Sequence, residues 1–144
     1  MAKLLNDKLF DSIRIQASQS PRHRMHYDLR SATDEDSGWQ DQSQRILNVL
    51  QPDTEIPIHR HNLTSETVII LRGHVQEVFF DSNGNEIECH DLLPNSKKYP
   101  CGIQVPRGMW HTVRCITQGS VIFEAKDRPY DPITTEDIWQ PQSH

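Results

Sequence analysis

From Gln44 onward the chain is cut into short β-prone runs by closely spaced turn signals, which leaves little room for any element longer than a strand. The separators are Gln51-Pro52-Asp53, Asn62-Leu63-Thr64-Ser65, Arg72-Gly73, Asp81-Ser82-Asn83-Gly84, Pro94-Asn95-Ser96, Pro106-Arg107-Gly108 and Gln118-Gly119-Ser120. Between them lie strand candidates at residues 45–50, 56–61, 67–72, 74–80, 85–92, 102–105, 109–115 and 121–126. Asn83-Gly84 is the strongest hairpin signal, because tight hairpin turns need residues that tolerate positive φ. Short strands at this spacing predict an antiparallel sandwich or barrel. Apolar residues make up only 35% of the 144. That suits strands that each bury one apolar face, and a chain of this length is expected to form one domain.

Upstream, residues 6–18 predict one short helix, with Asn6 or Asp7 as its cap and Leu9, Ile13 and Ala17 along one side. Ser20-Pro21 ends it, since proline disfavours helical geometry in the residue before it. The pattern then turns to period two: Arg24, His26 and Asp28 alternate with Met25, Tyr27 and Leu29, as on a strand with one polar face. Thr33 to Ser37 is acidic and reads as a solvated turn. The tail after Asp127 carries Pro129, Pro132 and Pro141, cannot continue a central strand, and is expected to wrap the outside. The organisation is therefore a helix-and-strand extension (1–30), a β unit (31–127) and a tail (128–144) within one domain.

A net charge of -5 argues against a phosphate-tracking surface, so no nucleic-acid partner is expected. No stretch approaches the roughly 20 apolar residues of a membrane helix. The opening Met-Ala-Lys-Leu-Leu-Asn-Asp lacks the apolar core of a signal peptide, so a cytoplasmic protein is expected. Three cysteines, Cys89, Cys101 and Cys115, show no CxxC spacing and read as reduced thiols. There is no Ser-His-Asp order, P-loop or dinucleotide fingerprint.

The chemistry concentrates in His59-Arg60-His61 followed, after four residues, by Glu66. On a strand His59 and His61 point to one face, and a four-residue loop can return Glu66 beside them. His111, behind the turn Pro106-Arg107-Gly108, offers a fourth ligand. Imidazoles with a carboxylate suit one divalent transition metal (zinc, iron, nickel, manganese or cobalt) and suit calcium poorly. Four protein ligands would leave one or two positions open in a five- or six-coordinate ion, as a catalytic metal requires. His74, His90 and His144 lack such context and read as structural or solvent-facing. Arg22, His23, Arg24, His26 and Arg30 form a basic cluster on an acidic chain. Alternation puts Arg22, Arg24, His26 and Arg30 on one face; as an anion clamp the best pair is Arg24 and His26, with Arg45 a third. The competing reading is an exposed strand face. Tyr130 is a candidate for the mouth of the site, Trp110 for packing, and Cys115 for a buried thiol on the face of His111.

These residues resemble the two motifs of the cupin superfamily, G-x5-HxH-x3,4-E-x6-G and G-x5-PxG-x2-H-x3-N. Agreement covers His59, His61, Glu66, Gly73, Pro106, Gly108 and His111; Asp53, Pro100 and Cys115 depart from it, and none of these three is a ligand in the pattern. The run Ser20 to Arg24, Gln44-Arg45, Pro57 to Leu71 and Arg128-Pro129-Tyr130 resemble the WbuC-type cupin metalloproteins of bacterial surface-polysaccharide gene clusters. The resemblance implies an all-β fold, a small antiparallel cupin (jelly-roll) barrel with a short N-terminal helix, and a homodimer. It also implies a sugar or sugar nucleotide as the small anionic ligand. A metalloenzyme is the leading expectation; a sensory cupin without turnover and an iron-dependent oxygenase are the alternatives.

Overall fold

The computed structural model describes residues 2–30, 42–127 and 135–141. Its elements are α1 (Asp7–Gln19), β1 (Arg24–Asp28), β2 (Gln44–Leu50), β3 (Glu66–Arg72), β4 (Val75–Phe80), β5 (Glu86–Leu92), β6 (Gly102–Val105), β7 (Trp110–Cys115) and β8 (Ser120–Lys126), with a 3-10 turn at Thr135–Asp137. The strands form a five-stranded sheet in the order β1-β2-β8-β3-β6 and a three-stranded sheet in the order β5-β4-β7. Every pairing is antiparallel. Neighbours such as β2 and β8 lie far apart in sequence, so the chain winds from sheet to sheet in jelly-roll fashion.

The inner faces of the two sheets close on Leu50, Val68, Ile70, Val75, Phe79, Leu92, Val113, Cys115 and Ile122. A second cluster lies on the outer face of the larger sheet, where Phe10, Ile13 and Ala17 of α1 cover Leu47, Val49 and Val121. β2 is thus buried on both faces, which is why its apolar residues run together instead of alternating. Phe10 rather than Leu9 joins the fully buried stripe; Leu9 packs at its edge. Asn6 caps the helix, its side chain accepting the Leu9 N–H at 3.1 Å.

The β4–β5 hairpin turns at Asn83-Gly84 as expected, with the Asp81 carboxylate accepting the N–H groups of Asn83 and Asn85 at 2.9 Å each. Gly73 has φ 91° and its Cα faces Ser120, where an added Cβ would stand 2.8 Å from that residue's Cα. Only glycine fits there. One strand candidate, 56–61, is absent as a strand. Pro57 removes a backbone donor, and the segment is held by isolated bridges from His59 to His111 and to Ile138. The final stretch lies along it, with Trp139 N–H donating to the Ile58 carbonyl at 2.8 Å and the Trp139 indole N–H to that of Ser82 at 3.0 Å. All three cysteines are free thiols; Cys115 is in the core, donating to the carbonyl of Thr117, and Cys89 and Cys101 are exposed. No helix among the described residues is long and apolar enough to cross a membrane. The acidic run 33–37, Tyr130 and His144 lie outside the described residues.

Candidate metal centre

His111 reaches its place because Pro106 to Met109 form a tight turn, with Gly108 at φ 81° donating its N–H to the His61 carbonyl at 2.8 Å. β7 then exchanges paired hydrogen bonds with His59, at 3.0 and 2.8 Å. The three imidazoles converge: the ring centroids of His59 and His111 are 4.3 Å apart, of His59 and His61 5.0 Å, and of His61 and His111 5.3 Å. One ligand atom from each lies within 4.8 Å of the others. Glu66, the first residue of β3, stands at the edge of this group, its carboxylate 3.4 Å from His61 Nε2 and 3.7 Å from His111 Nε2.

The donor set fits a divalent transition metal. His59 Nδ1 lies 2.8 Å from the Pro57 carbonyl and His111 Nδ1 2.9 Å from the Met109 carbonyl. Such bonds fix the proton on Nδ1 and leave the Nε2 lone pair pointing inward, as metal-ligating histidines are usually held. Nε2 of both His61 and His111 is buried with no hydrogen-bond partner, a costly state that coordination would relieve. His61 differs in that its Nδ1 faces Lys126 Nζ at 3.5 Å. A neutral His61 offering Nε2 to a metal carries its proton on Nδ1, so these two donors would then turn apart.

Burial, with His111 next, lowers His59 to about 3, and burial lowers His61 to about 4. Both are therefore neutral at physiological pH, the form a metal requires. Burial would raise the Glu66 carboxyl, but His111 and His61 beside it outweigh this and hold it below its ordinary value.

The centre opens into a cavity of 150 Å³. Arg22, Arg24 and His26 line it together with His59, His61, Glu66 and His111. Arg22 and His26 sit exposed at its rim, whereas Arg24 is half-buried and donates to Thr54 Oγ1 and the Glu55 carbonyl, both at 3.2 Å. Arg30 folds back on Asp28, with Nη2 3.3 Å from its carboxylate. His23, on the opposite face, has φ 56° and lies 3.3 Å from Asp53. Arg45 faces the outer side of β2 and borders a different hollow. Trp110 stacks under the Arg60 guanidinium, 4.4 Å from its ring centroid.

Sequence reasoning missed three charged residues inside the sheets. Glu124 and Lys126 of β8 line the cavity together with the histidines. Burial first, and Glu66 second, push the Glu124 carboxyl up to about 8, against the pull of Lys126 and Arg24. Glu77 of β4 is fully buried with neither oxygen partnered, and burial, Glu66 and Glu124 raise it well above the ordinary range. The available signal was parity: Glu124 and Lys126 share the inward face of Ile122, and Glu77 that of Val75 and Phe79.

A family model described as a domain of unknown function (DUF6016) matches residues 5–92. Comparison with curated proteins finds no match. Among solved structures, protein SO0799 from Shewanella oneidensis superposes with a TM-score of 0.63 at 13% identity, over 96% of this chain and 100% of that one. A mutant of Bacillus subtilis oxalate decarboxylase gives 0.50 at 14% identity, over 73% of this chain and 25% of that one. The capsular polysaccharide assembling protein CapF from Staphylococcus aureus gives 0.51 at 19% identity, over 64% and 24%. This chain thus spans about a quarter of the length of the last two. At such identities the likeness shows the fold alone, and that fold is cupin-like.

Proposed function

We propose that the chain, which belongs to the DUF6016 family (domain of unknown function), is a metal-dependent enzyme acting on a small anionic metabolite. The observation that carries this reading is a shared cavity: three convergent imidazoles, Arg24, His26 and the carboxyl of Glu124 all border the same 150 Å³. His59, His61 and His111 would hold the ion, with Glu66 as a fourth ligand. When bound, the ion supplies a Lewis acid that polarises a substrate oxygen. Arg24 and His26 receive the anionic group, because both line the cavity beside the histidines and arginine offers a fixed fork of donors that matches a carboxylate or phosphate. Glu124, which lines the same cavity, is read as the proton-transferring group, a feature that a purely sensory cupin does not require.

The sugar character of the substrate rests on the WbuC-type resemblance and on the polysaccharide role named for CapF. A homodimer is part of the reading: β1 and β6 end the larger sheet among the described residues, and exposed edges favour pairing. Light scattering at micromolar concentration that shows only monomer would remove that part.

Elemental analysis of protein purified without added nickel, followed by calorimetric titration with gluconate, tests the core of the proposal. Near-stoichiometric metal is expected, and Arg24→Ala should weaken gluconate binding by about 1.5–3 kcal/mol, the size of a lost charged hydrogen bond, without loss of metal. Unchanged anion affinity in the variant overturns the clamp. Iron as the resident ion would shift the reading toward the oxygenase alternative.

A further inference from the structure

The cavity at the histidines is small, of the size that holds a benzene-sized group, whereas an open trough of 650 Å³ adjoins it over the outer face of the five-stranded sheet. That volume lies within the roughly 300–1,000 Å³ usual for metabolite pockets. The two hollows share Gln44 and Lys126, which line both.

The trough follows from strand register. Across β2, β8, β3 and β6 one outward-facing row reads Arg45, Ala125, Thr67, Gln104. The small Ala125 makes the floor between longer neighbours. Thr67 donates to Gln104 Oε1 at 2.6 Å and Gln104 Nε2 to Ser65 Oγ at 2.9 Å, so the polar wall is pre-ordered. Arg45 and Arg107 border the trough. At the junction, Gln44 is 2% exposed and its buried Oε1 has no hydrogen-bond partner. A buried acceptor left without a donor at the meeting point of two hollows calls for a donor from a ligand.

From this juxtaposition we infer that the trough is an outer subsite for a phosphate ester, in a ligand that is a polyhydroxylated acid whose carboxylate end enters the inner cavity. The phosphate meets Arg45 and Arg107, for which arginine has matching donors. A ligand hydroxyl donates to Gln44 Oε1, and Lys126 stands between the two anionic ends. The inference depends on the metal-and-anion reading only for the inner end.

The test compares gluconate with 6-phosphogluconate, which differ only by the phosphate, by calorimetry on the zinc-loaded full chain. The phosphorylated acid should bind at least tenfold more tightly. Arg45→Ala and Arg107→Ala should each remove about tenfold of that advantage, the scale of a lost charged contact, and Ala125→Leu, which fills the floor, should do the same. All three should leave gluconate affinity unchanged, while Arg24→Ala weakens both ligands. Were Arg24→Ala without effect and Arg107→Ala damaging, the inner clamp would fall and the outer subsite stand. Equal affinity for the two acids, or an advantage that survives both Arg107→Ala and Ala125→Leu, overturns the inference.

Discussion

Ile122 and Glu124 are two residues apart on the same inward face of β8, yet one closes an apolar core and the other borders a charged cavity. The same change runs along its neighbours. β3 passes from Ile70 and Val68 to Glu66, and β7 from Cys115 and Val113 to His111. One end of the space between the sheets is therefore packed with Leu50, Ile70, Leu92 and Ile122, all 2% exposed or less. The opposite end gathers three histidines, Glu66, Glu124 and Lys126. Both ends use the same strands, so the apolar end supplies the burial that holds the sheets and leaves the polar end free to carry chemistry at a cost in desolvation.

The largest effects should separate the two ends cleanly. Ile122→Ala should cost about 2–5 kcal/mol of stability, the usual penalty for truncating a fully buried aliphatic side chain, and should leave metal stoichiometry in the folded fraction intact. His59→Ala and His111→Ala should do the reverse, losing most of the bound metal while circular dichroism still reports folded sheets. Urea unfolding and elemental analysis on all three variants give the comparison. If His111→Ala proves as unstable as Ile122→Ala, the ion or its ligands hold the fold and the division of labour is wrong.

The packed end was the more legible of the two. Turn signals and β-prone runs locate β2 to β8, and parity puts Arg24 and His26 on one face. Spacing also brought His59, His61 and His111 together, because a two-residue step on an extended chain and a Pro-x-Gly turn are both local devices. Three things were not legible, each for a physical reason. The stretch 56–61 carries β-prone residues, but Pro57 and its position at the sheet rim reduce it to single bridges. Arg45 shares the polarity of Arg24 but lies on the other face of its strand, and only the β2–β8 register shows what it faces. Glu77 and Glu124 share strand parity with Val75, Phe79 and Ile122, but parity alone does not say which face of a strand a second sheet covers. Their burial comes from a second sheet that local periodicity does not reveal.

Glu77 sharpens the comparison by being a polar residue among apolar neighbours, with Val75 and Phe79 on its own face. Its carboxyl is raised well above 4.5, so the folded state holds a proton that the unfolded chain gives up near its ordinary value. The folded state then binds more protons than the unfolded one, and stability falls as pH rises from about 4.5 toward the raised value. Glutamine is neutral throughout and keeps the shape. Glu77→Gln should therefore unfold at a higher urea concentration than the wild type at pH 8, with the gap closing toward pH 4.5. Both proteins should be measured in excess chelator so that metal loading does not intrude. A gap that widens on acidification would mean that Glu77 is ionised and paired in the folded protein, and that the polar end extends deeper between the sheets than its position suggests.

The smallest effect should come from the helix, which belongs to neither end of the inter-sheet space. Asn6 caps α1 by accepting the Leu9 N–H, and a cap of this kind is worth about 0.5–2 kcal/mol. The helix in turn covers Leu47, Val49 and Val121 on the outer face of the larger sheet. Asn6→Ala should therefore lower stability by about 1 kcal/mol, and should leave both metal content and gluconate affinity where they were. The physical ground for that silence is that β2 presents Leu47 and Val49 to the helix but Gln44, Ile46 and Asn48 to the cavity. Loosening one face need not move the other while the sheet stays hydrogen-bonded to β8. If Asn6→Ala does weaken the anion, the strand transmits strain from one face to the other. The helix would then count as part of the site, and the contrast between a stabilising region and a chemical one would fail at β2.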